Sequence, residues 1–102
     1  MPDFSNSFSG LALDRKVTHS ELVRAIRFMV AAEYEAAQIY EQLAESTEHE
    51  LAKKVLLDVA REEIVHAGEF LTLLNHLQPD EQRYYDEGAR EVEEMIDEMR
   101  SK

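Results

Sequence analysis

Apolar residues recur every three to four positions along most of this chain, the spacing that places them on one face of an α-helix. The first such run follows Thr18 and Glu21, a T-x-x-E pair typical of a helix N-terminus. The stripe that we expect to face inward contains Leu22, Ile26, Met29, Val30, Glu33, Ala37, Tyr40 and Leu43. Only Glu33 in this stripe is charged, so the pattern predicts a long helix whose apolar face is interrupted by one carboxylate.

A second run of the same periodicity begins near Thr47, where Thr47 and Glu50 repeat the capping pattern. Its stripe contains Ala52, Leu56, Val59, Glu63, His66, Phe70, Leu73, Leu74 and Leu77. Pro79 ends the run, because the residue before a proline is pushed out of helical geometry. The second predicted helix therefore carries two polar interruptions, Glu63 and His66, on a face that is otherwise apolar.

The ends of the chain differ from this central part. Residues 1–16 are mostly polar and contain serine and glycine, so we expect a flexible arm. A shorter amphipathic helix is predicted from about Pro79 to Met99. Its apolar residues are Tyr85, Val92, Ile96 and Met99. The expected fold is all-α, with an antiparallel two-helix hairpin over 17–78 and a C-terminal helix and tail over 79–102.

The polar interruptions of the two long helices are predicted to meet. Glu33 lies 14 residues before Thr47 and Glu63 lies 16 residues after it, which is roughly 21 and 24 Å of helix on either side of the turn. His66 lies one helical turn beyond Glu63. Buried carboxylates are costly unless they are paired or bound to a metal, and oxygen and nitrogen ligands suit iron, manganese or zinc. The alternative is a hydrogen-bonded polar network that fixes the helix register.

Counting ligands indicates a second chain. Di-iron carboxylate sites in four-helix bundles use a Glu from each of two helices and a Glu-x-x-His from each of the other two. This chain supplies half of that set, Glu33 and Glu63-x-x-His66. A two-helix hairpin also cannot bury its own apolar stripe, so we expect a two-fold homodimer with the site on its interface. Tyr40, on the same face as Glu33, is either a core tyrosine or a residue beside the metals.

Composition narrows the classes of partner. The formal charge of −11 disfavours nucleic acid and anionic membranes and suits cations. The sequence contains no cysteine, which excludes disulfides, cysteine zinc sites and thiolate-bound iron within these residues. We find no pattern of a signal peptide or a membrane-spanning run. We therefore expect a soluble, intracellular protein that binds neither nucleic acid nor membrane.

The segments "AAEYEAAQIYEQLA" and "LLDVAREEIVHAGEFLTLL" resemble the ferritin-like superfamily, and most closely the encapsulated ferritins with their short half-bundle subunits. The resemblance covers about residues 18–78. It implies a ferroxidase that oxidises Fe(II) to Fe(III) with dioxygen at a di-iron site made by two subunits, with manganese, zinc or calcium as substitutes for iron. Glu33, Glu63 and His66 would then be the ligands, and Tyr40 the tyrosine beside the metals.

The same resemblance implies an assembly. Family members form rings of dimers, commonly decamers, inside an encapsulin shell, so it implies a cytoplasmic protein within an encapsulin nanocompartment. Glu35 corresponds to an acidic residue that guides iron inward, whereas Ala32 stands where relatives can carry a second such acid. The resemblance therefore leaves the route by which iron reaches the site undetermined.

Two other functions remain open from the residues. One is a rubrerythrin-like peroxide reductase, which the absence of cysteine disfavours because a thiolate-bound electron-transfer iron is then missing from these residues. The other is a non-enzymatic helical dimerisation or adaptor module, in which the polar level only fixes register.

Overall fold

The computed structural model describes residue 12 and residues 14–101, and this part of the chain is α-helical without a β-strand. In chain order the elements are α1 (His19–Glu45), α2 (Glu50–Leu77), a 3-10 turn (Pro79–Glu81) and α3 (Gln82–Arg100). The all-α class and the order of two long helices followed by a shorter one are confirmed. The arm predicted over 1–16 lies largely outside the described residues.

The start of α1 is held by the predicted capping box. The Glu21 backbone N–H donates to Thr18 Oγ1 over 3.1 Å, and the Thr18 N–H donates to Glu21 Oε1 over 2.8 Å. Arg15 donates to both carboxylate oxygens of Glu21, each over 2.7 Å. These hydrogen bonds lower the pKa of Glu21 to about 2. The bond from Arg15 has the largest effect, and the bond from the Thr18 backbone has the next largest. Local side chains therefore satisfy backbone donors that a helix start leaves without partners.

The start of α2 differs from the prediction, which placed the cap at Thr47. The helix begins at Glu50, and His49 is its N-cap, with Nδ1 accepting from the Ala52 N–H over 3.2 Å. Thr47 Oγ1 instead accepts from the His49 N–H, also over 3.2 Å. Because the threonine hydroxyl closes a local turn two residues ahead, it is not available to cap the helix, and the cap moves to His49.

A line of small side chains forms the contact between α1 and α2. The most deeply buried residues are 2–3 % exposed and all are alanines: Ala37, Ala44, Ala60 and Ala67. At the open end of the hairpin a cluster of larger residues continues this line, with Val23, Ile26 and Leu74 buried and Leu22, Phe70 and Leu77 packed against them. Since alanine projects little beyond the helix backbone, this alanine line lets the two helices approach closely.

The alanine line moves larger apolar side chains out of the contact. Leu43 and Leu73, both predicted to face inward, are 52 % and 40 % exposed, so the contact between α1 and α2 does not bury them. Each lies on a flank of its helix, beyond the residues that touch the other helix. Other large apolar residues on the flanks of α2 are also at least two-fifths exposed: Leu57, Ile64, Val65 and Leu71.

One chain forms a single layer of helices. Its principal extents are 56 × 46 × 19 Å, and the shortest is less than two helix diameters of roughly 10–12 Å. Its radius of gyration is 18.4 Å, against roughly 13 Å for a compact domain of this length. Its accessible surface is 8484 Å², whereas size scaling gives a compact monomer of this mass roughly 5,900 Å². The radius of gyration and the accessible surface both show that a single chain leaves more surface exposed than a compact monomer of this size would.

The third helix leaves the hairpin at its open end. Arg27 of α1 makes an ion pair with Glu81 of the 3-10 turn, and the Tyr85 hydroxyl donates to the same carboxylate. Beyond this junction α3 has no buried residue and no extensive packing on α1 or α2. Its direction is therefore set near Glu81 and not by a core of its own.

Candidate metal centre

Helices α1 and α2 bring the predicted polar residues to one level. Glu33 Oε2 lies 3.6 Å from His66 Nδ1, and Glu63 Oε2 lies 3.8 Å from the same nitrogen. One donor atom from each of the three residues lies within 4.8 Å of the other two. The convergence follows from the antiparallel hairpin, in which Glu33 and Glu63 are at similar heights above the turn, and from the i, i+3 spacing of Glu63 and His66.

These distances suit a shared ion better than direct hydrogen bonds. A donor–acceptor separation of 3.6 Å or more is too long for a hydrogen bond. Ligands that sit roughly 2.0–2.2 Å from one metal ion are about 3 to 3.5 Å apart at ordinary coordination angles, close to the spacing observed. Two carboxylates and one imidazole form a donor set suited to iron, manganese or zinc.

The electrostatics of Glu33 also fit a bound cation. Its Oε2 atom is buried and has no hydrogen-bond partner within the described residues. The pKa of Glu33 is raised, first by the adjacent Glu63 carboxyl with which it can share a proton, then by burial and by repulsion from the Glu63 charge. Without a cation, repulsion between the Glu33 and Glu63 carboxylates disfavours the state in which both are ionised. A bound cation would relieve that repulsion and give Oε2 a ligand.

The centre is more open than the stripe pattern predicts. The side chains of Glu33 and Glu63 are each 18 % exposed and that of His66 is 45 % exposed. The physical reason is the single-layer fold, because α1 and α2 flank the three side chains and no other described element covers them. The imidazole of His66 is therefore the most exposed of the three groups.

A cavity of about 450 Å³ adjoins the centre and connects it to solvent. Its lining residues are Glu33, His66, Glu69, Phe70 and Leu73. Glu69 does not belong to the predicted apolar stripe of the second helix and is exposed, yet it forms part of this wall. The available signal in the sequence was its i, i+3 spacing from His66, which continues the series begun by Glu63.

The remaining candidate residues are less closely tied to the centre. Tyr40 is half-buried on α1, two turns from Glu33, and makes no hydrogen bond within the described part of the chain. Glu35 and Ala32 are exposed on α1 and do not line the cavity beside Glu33. A role for Tyr40 beside the metals and for Glu35 in guiding iron therefore stays a prediction.

Comparison with known proteins identifies the family. The sequence matches the rubrerythrin family over residues 22–101, a range that contains all three helices apart from the first turn of α1. The chain belongs to the rubrerythrin family. The predicted membership of the ferritin-like superfamily is thereby confirmed.

Two curated relatives of this rubrerythrin-family chain are named as encapsulin components. It is 43 % identical over 82 residues to a ferritin-like-encapsulin shell fusion protein of Pyrococcus furiosus, a match that covers 80 % of this chain and 24 % of that protein. It is 38 % identical over 77 residues to the encapsulin nanocompartment cargo protein EncC of Myxococcus xanthus, covering 76 % of this chain and 58 % of EncC. The chain thus spans about a quarter of the length of the Pyrococcus furiosus protein and somewhat over half of the length of EncC.

A solved structure gives the same result for the fold. The crystal structure of the encapsulated ferritin domain from Pyrococcus furiosus superposes with a TM-score of 0.81 at 40 % sequence identity. The match covers 88 % of this chain and 92 % of that chain. The resemblance to encapsulated ferritins is therefore confirmed.

No helix in the described residues is long and apolar enough to cross a membrane.

Proposed function

We propose that this rubrerythrin-family chain is a ferroxidase, which binds Fe(II) as its substrate and oxidises it to Fe(III) with dioxygen at a di-iron site shared by two copies. The observation that carries the proposal is the convergence of Glu33, Glu63 and His66 around a buried carboxylate oxygen of Glu33, which has no hydrogen-bond partner among the described residues. Support for iron and for redox chemistry comes from the family match and from the donor set that ferritin-like di-iron bundles use.

A second copy would complete the site. One chain provides two carboxylates and one imidazole, and a two-fold axis near His66 would bring in the same three groups again. The four carboxylates of the pair would balance the charge of two Fe(II) ions. The same operation would cover the open side of the hairpin, where Leu43 and Leu73 are exposed. Completion of the ligand set and burial of apolar surface thus favour the same homodimer.

The roles of the individual residues follow from their chemistry. Glu33 and Glu63 provide oxygen ligands that bind iron in both oxidation states, and the neutral imidazole of His66 provides nitrogen. Each Fe(II) held at this site would give one electron to dioxygen, which is reduced as the iron becomes Fe(III). Tyr40 is assigned to the surroundings of the metals, where it would act as a hydrogen-bond donor or as an electron donor.

Higher assembly and shell association are part of the proposal. Beyond the dimer, exposed apolar residues remain on the other flank of α2 and along α3, which supports a larger homo-oligomer such as an annular decamer. The two curated relatives are named as an encapsulin shell fusion and an encapsulin cargo protein. We accordingly assign the chain to iron storage or detoxification inside a cytoplasmic encapsulin nanocompartment, with the shell protein as partner.

Anaerobic Fe(II) titration followed by native mass measurement tests the site. Wild-type protein is expected to bind two irons per two chains. Glu63→Ala and His66→Ala should lose this binding, because each removes one ligand from both halves of the site. Glu62→Ala is the matched control, since Glu62 is the neighbouring carboxylate, is 49 % exposed and lies beside Arg61. Equal iron binding by Glu63→Ala and Glu62→Ala would exclude the proposed ligand set.

Aerobic addition of Fe(II) tests the reaction itself. Oxidation followed by absorbance should be faster with wild type and Glu62→Ala than in buffer, and should fall to the buffer rate with Glu63→Ala or His66→Ala. A wild-type rate no higher than that of buffer would refute ferroxidase activity even if iron binds.

The family match also supports a second candidate, a rubrerythrin-like peroxide reductase. Comparing hydrogen peroxide with dioxygen as oxidant of the iron-loaded protein distinguishes the two reactions. A strong preference for peroxide would favour the reductase. If instead chelation leaves assembly and stability unchanged, and Glu63→Leu stabilises the fold, the non-enzymatic adaptor is favoured.

A further inference from the structure

The side of α2 that faces away from the metal centre carries a second apolar stripe, here called the back stripe: Leu57, Ile64 and Leu71. We infer that α3 of a second copy of this chain packs along the back stripe. The inference rests on the larger homo-oligomer of the proposed function and names a contact surface for it, whereas the iron chemistry is not part of it.

The back stripe remains uncovered when two metal centres are joined. At 3.6 residues per turn, Ile64 lies about 160° around α2 from His66, so a dimer formed on the His66 side does not reach it. The three stripe residues are 42–52 % exposed. The α3 helix of the same chain reaches only the end of the stripe, where Tyr85 and Leu71 line a cavity of about 220 Å³. The rest of the stripe needs a partner from outside the chain.

Helix α3 has a stripe of matching geometry, here called the α3 stripe: Tyr85, Val92 and Met99. Both stripes repeat every seven residues, and each is about 21 Å long at the rise of an α-helix. Helices with apolar residues at this repeat pack along their length, because the side chains of one fit between those of the other. The α3 stripe has no buried residue within its own chain, so both surfaces are available to each other.

Both stripes also contain a glycine that a single chain does not explain. Gly68 lies one turn after Ile64 on the back stripe, and Gly88 lies one turn before Val92 on the α3 stripe. Glycine destabilises a helix interior relative to alanine, yet a Cβ added at either position would meet nothing within 4 Å in the described part of the chain. A packed partner helix gives a reason, because a missing side chain leaves room for a large apolar one.

The charges favour the back of the hairpin as the surface for α3. Helix α3 has seven acidic and three basic residues. All lysines and arginines of α1 and α2 lie at least about 120° around their helices from Glu33 or His66: Arg24, Arg27, Lys53, Lys54 and Arg61. The acidic α3 therefore meets positive charge only on the back, whereas pairing α3 with another α3 places like charges together, which is costly.

Cross-linking between introduced cysteines tests this contact, since the sequence contains no cysteine of its own. Ile64→Cys chains and mass-tagged Val92→Cys chains, co-expressed and treated with a short bis-maleimide, should give a mixed two-chain product as the main product. These two residues are the centres of their stripes, so they meet whichever way α3 runs. Glu62→Cys, on the other side of α2, is the matched control and should give several times less mixed product with Val92→Cys.

Three cross-linking results would overturn the inference. Products that join Ile64→Cys chiefly to itself would show that two back stripes face each other, and products that join Val92→Cys chiefly to itself would show α3 paired with α3. Equal yields from Ile64→Cys and Glu62→Cys, including no product from either, would show that α3 does not select the back stripe.

Gly68→Leu provides a second test that does not depend on a cross-linker. The single chain has room for the added side chain, so the helical circular dichroism should stay that of wild type. Sedimentation should show a shift to smaller oligomers, because the leucine fills the place of the partner's side chains. Oligomers of wild-type size would contradict the contact.

Iron binding by wild type separates this inference from the proposed function. If two chains bind two irons but Ile64→Cys and Val92→Cys do not cross-link, the proposed metal site stands and the contact falls. If the cross-link forms and no iron binds, the contact stands and the metal site falls.

Discussion

The α1–α2 hairpin and α3 are both amphipathic, but only the hairpin has an apolar contact within the chain. Alanines 2–3 % exposed form the line between α1 and α2, and the start of α1 has a complete capping box. In contrast, α3 contains no buried residue and its N-terminus has no side-chain cap. Its apolar side chains are 40–76 % exposed: Tyr84, Tyr85, Val92, Met95, Ile96 and Met99.

This difference separates what one chain stabilises from what requires a partner. An amphipathic helix draws most of its stability in proteins from packing its apolar face. The hairpin meets that requirement along its alanine line and leaves only its flanks uncovered, whereas α3 meets it nowhere. The hairpin is thus a folding unit with half a metal site, and α3 is an assembly element attached through Glu81 and Arg27.

The largest effect is expected from enlarging the alanine line. Ala67→Leu places three extra heavy atoms where the side chain is 2 % exposed, so we expect unfolding free energy to fall by about 1–3 kcal/mol or more. Ala31→Leu, on the exposed side of α1, is the matched control and should change it little. Urea unfolding measures both, and equal effects would contradict close packing at this line.

A smaller effect, on assembly and not on folding, is expected in α3. Ile96→Gln removes apolar surface that is 40 % exposed in the single chain, so the thermal midpoint of the hairpin should change little. Sedimentation should show a shift to smaller oligomers, because the stripe loses a central apolar residue. Glu94→Gln, on the opposite side of α3, should assemble like wild type. Full-size oligomers of Ile96→Gln would show that this stripe is not a subunit contact.

The smallest effect concerns the cap that α1 has and α3 lacks. The pKa of Glu21 is lowered from 4.5 to about 2, so its ionised form stabilises the folded state at and above pH 4.5. This contribution is lost as the pH falls from 4.5 toward 2. The thermal midpoint of wild type should exceed that of Glu21→Gln at pH 7, and the difference should shrink toward zero near pH 2. A difference independent of pH would exclude the carboxylate charge as its source.

Local sequence predicted the features that depend on neighbouring residues. The capping box of Thr18 and Glu21 was predicted because both partners lie within one turn. The level match of Glu33 with Glu63 was predicted because helix rise is constant and the connection is short. The fold class, the order of helices and the grouping of three polar side chains therefore needed no tertiary information.

Features that depend on packing were predicted poorly. Ala60 and Ala67 were not placed on the inward stripe, because alanine contributes little to hydrophobic periodicity, while Leu43 and Leu73 were placed there and are exposed. The cap of α2 moved from Thr47 to His49 because two side chains compete for nearby backbone donors. Periodicity ranks side chains by hydrophobicity and contains no term for how closely two helices approach.

The sequence by itself determined an all-α chain that carries two carboxylates and a histidine on facing helices. Helical period and rise set those positions without reference to the rest of the molecule. Only the tertiary structure decided that alanines form the contact, that the polar centre is open on one side, and that Glu69 shares its cavity. These features depend on the distance between two helices and on the lack of a second layer over the hairpin in residues 14–101, both of which result from packing across the whole hairpin.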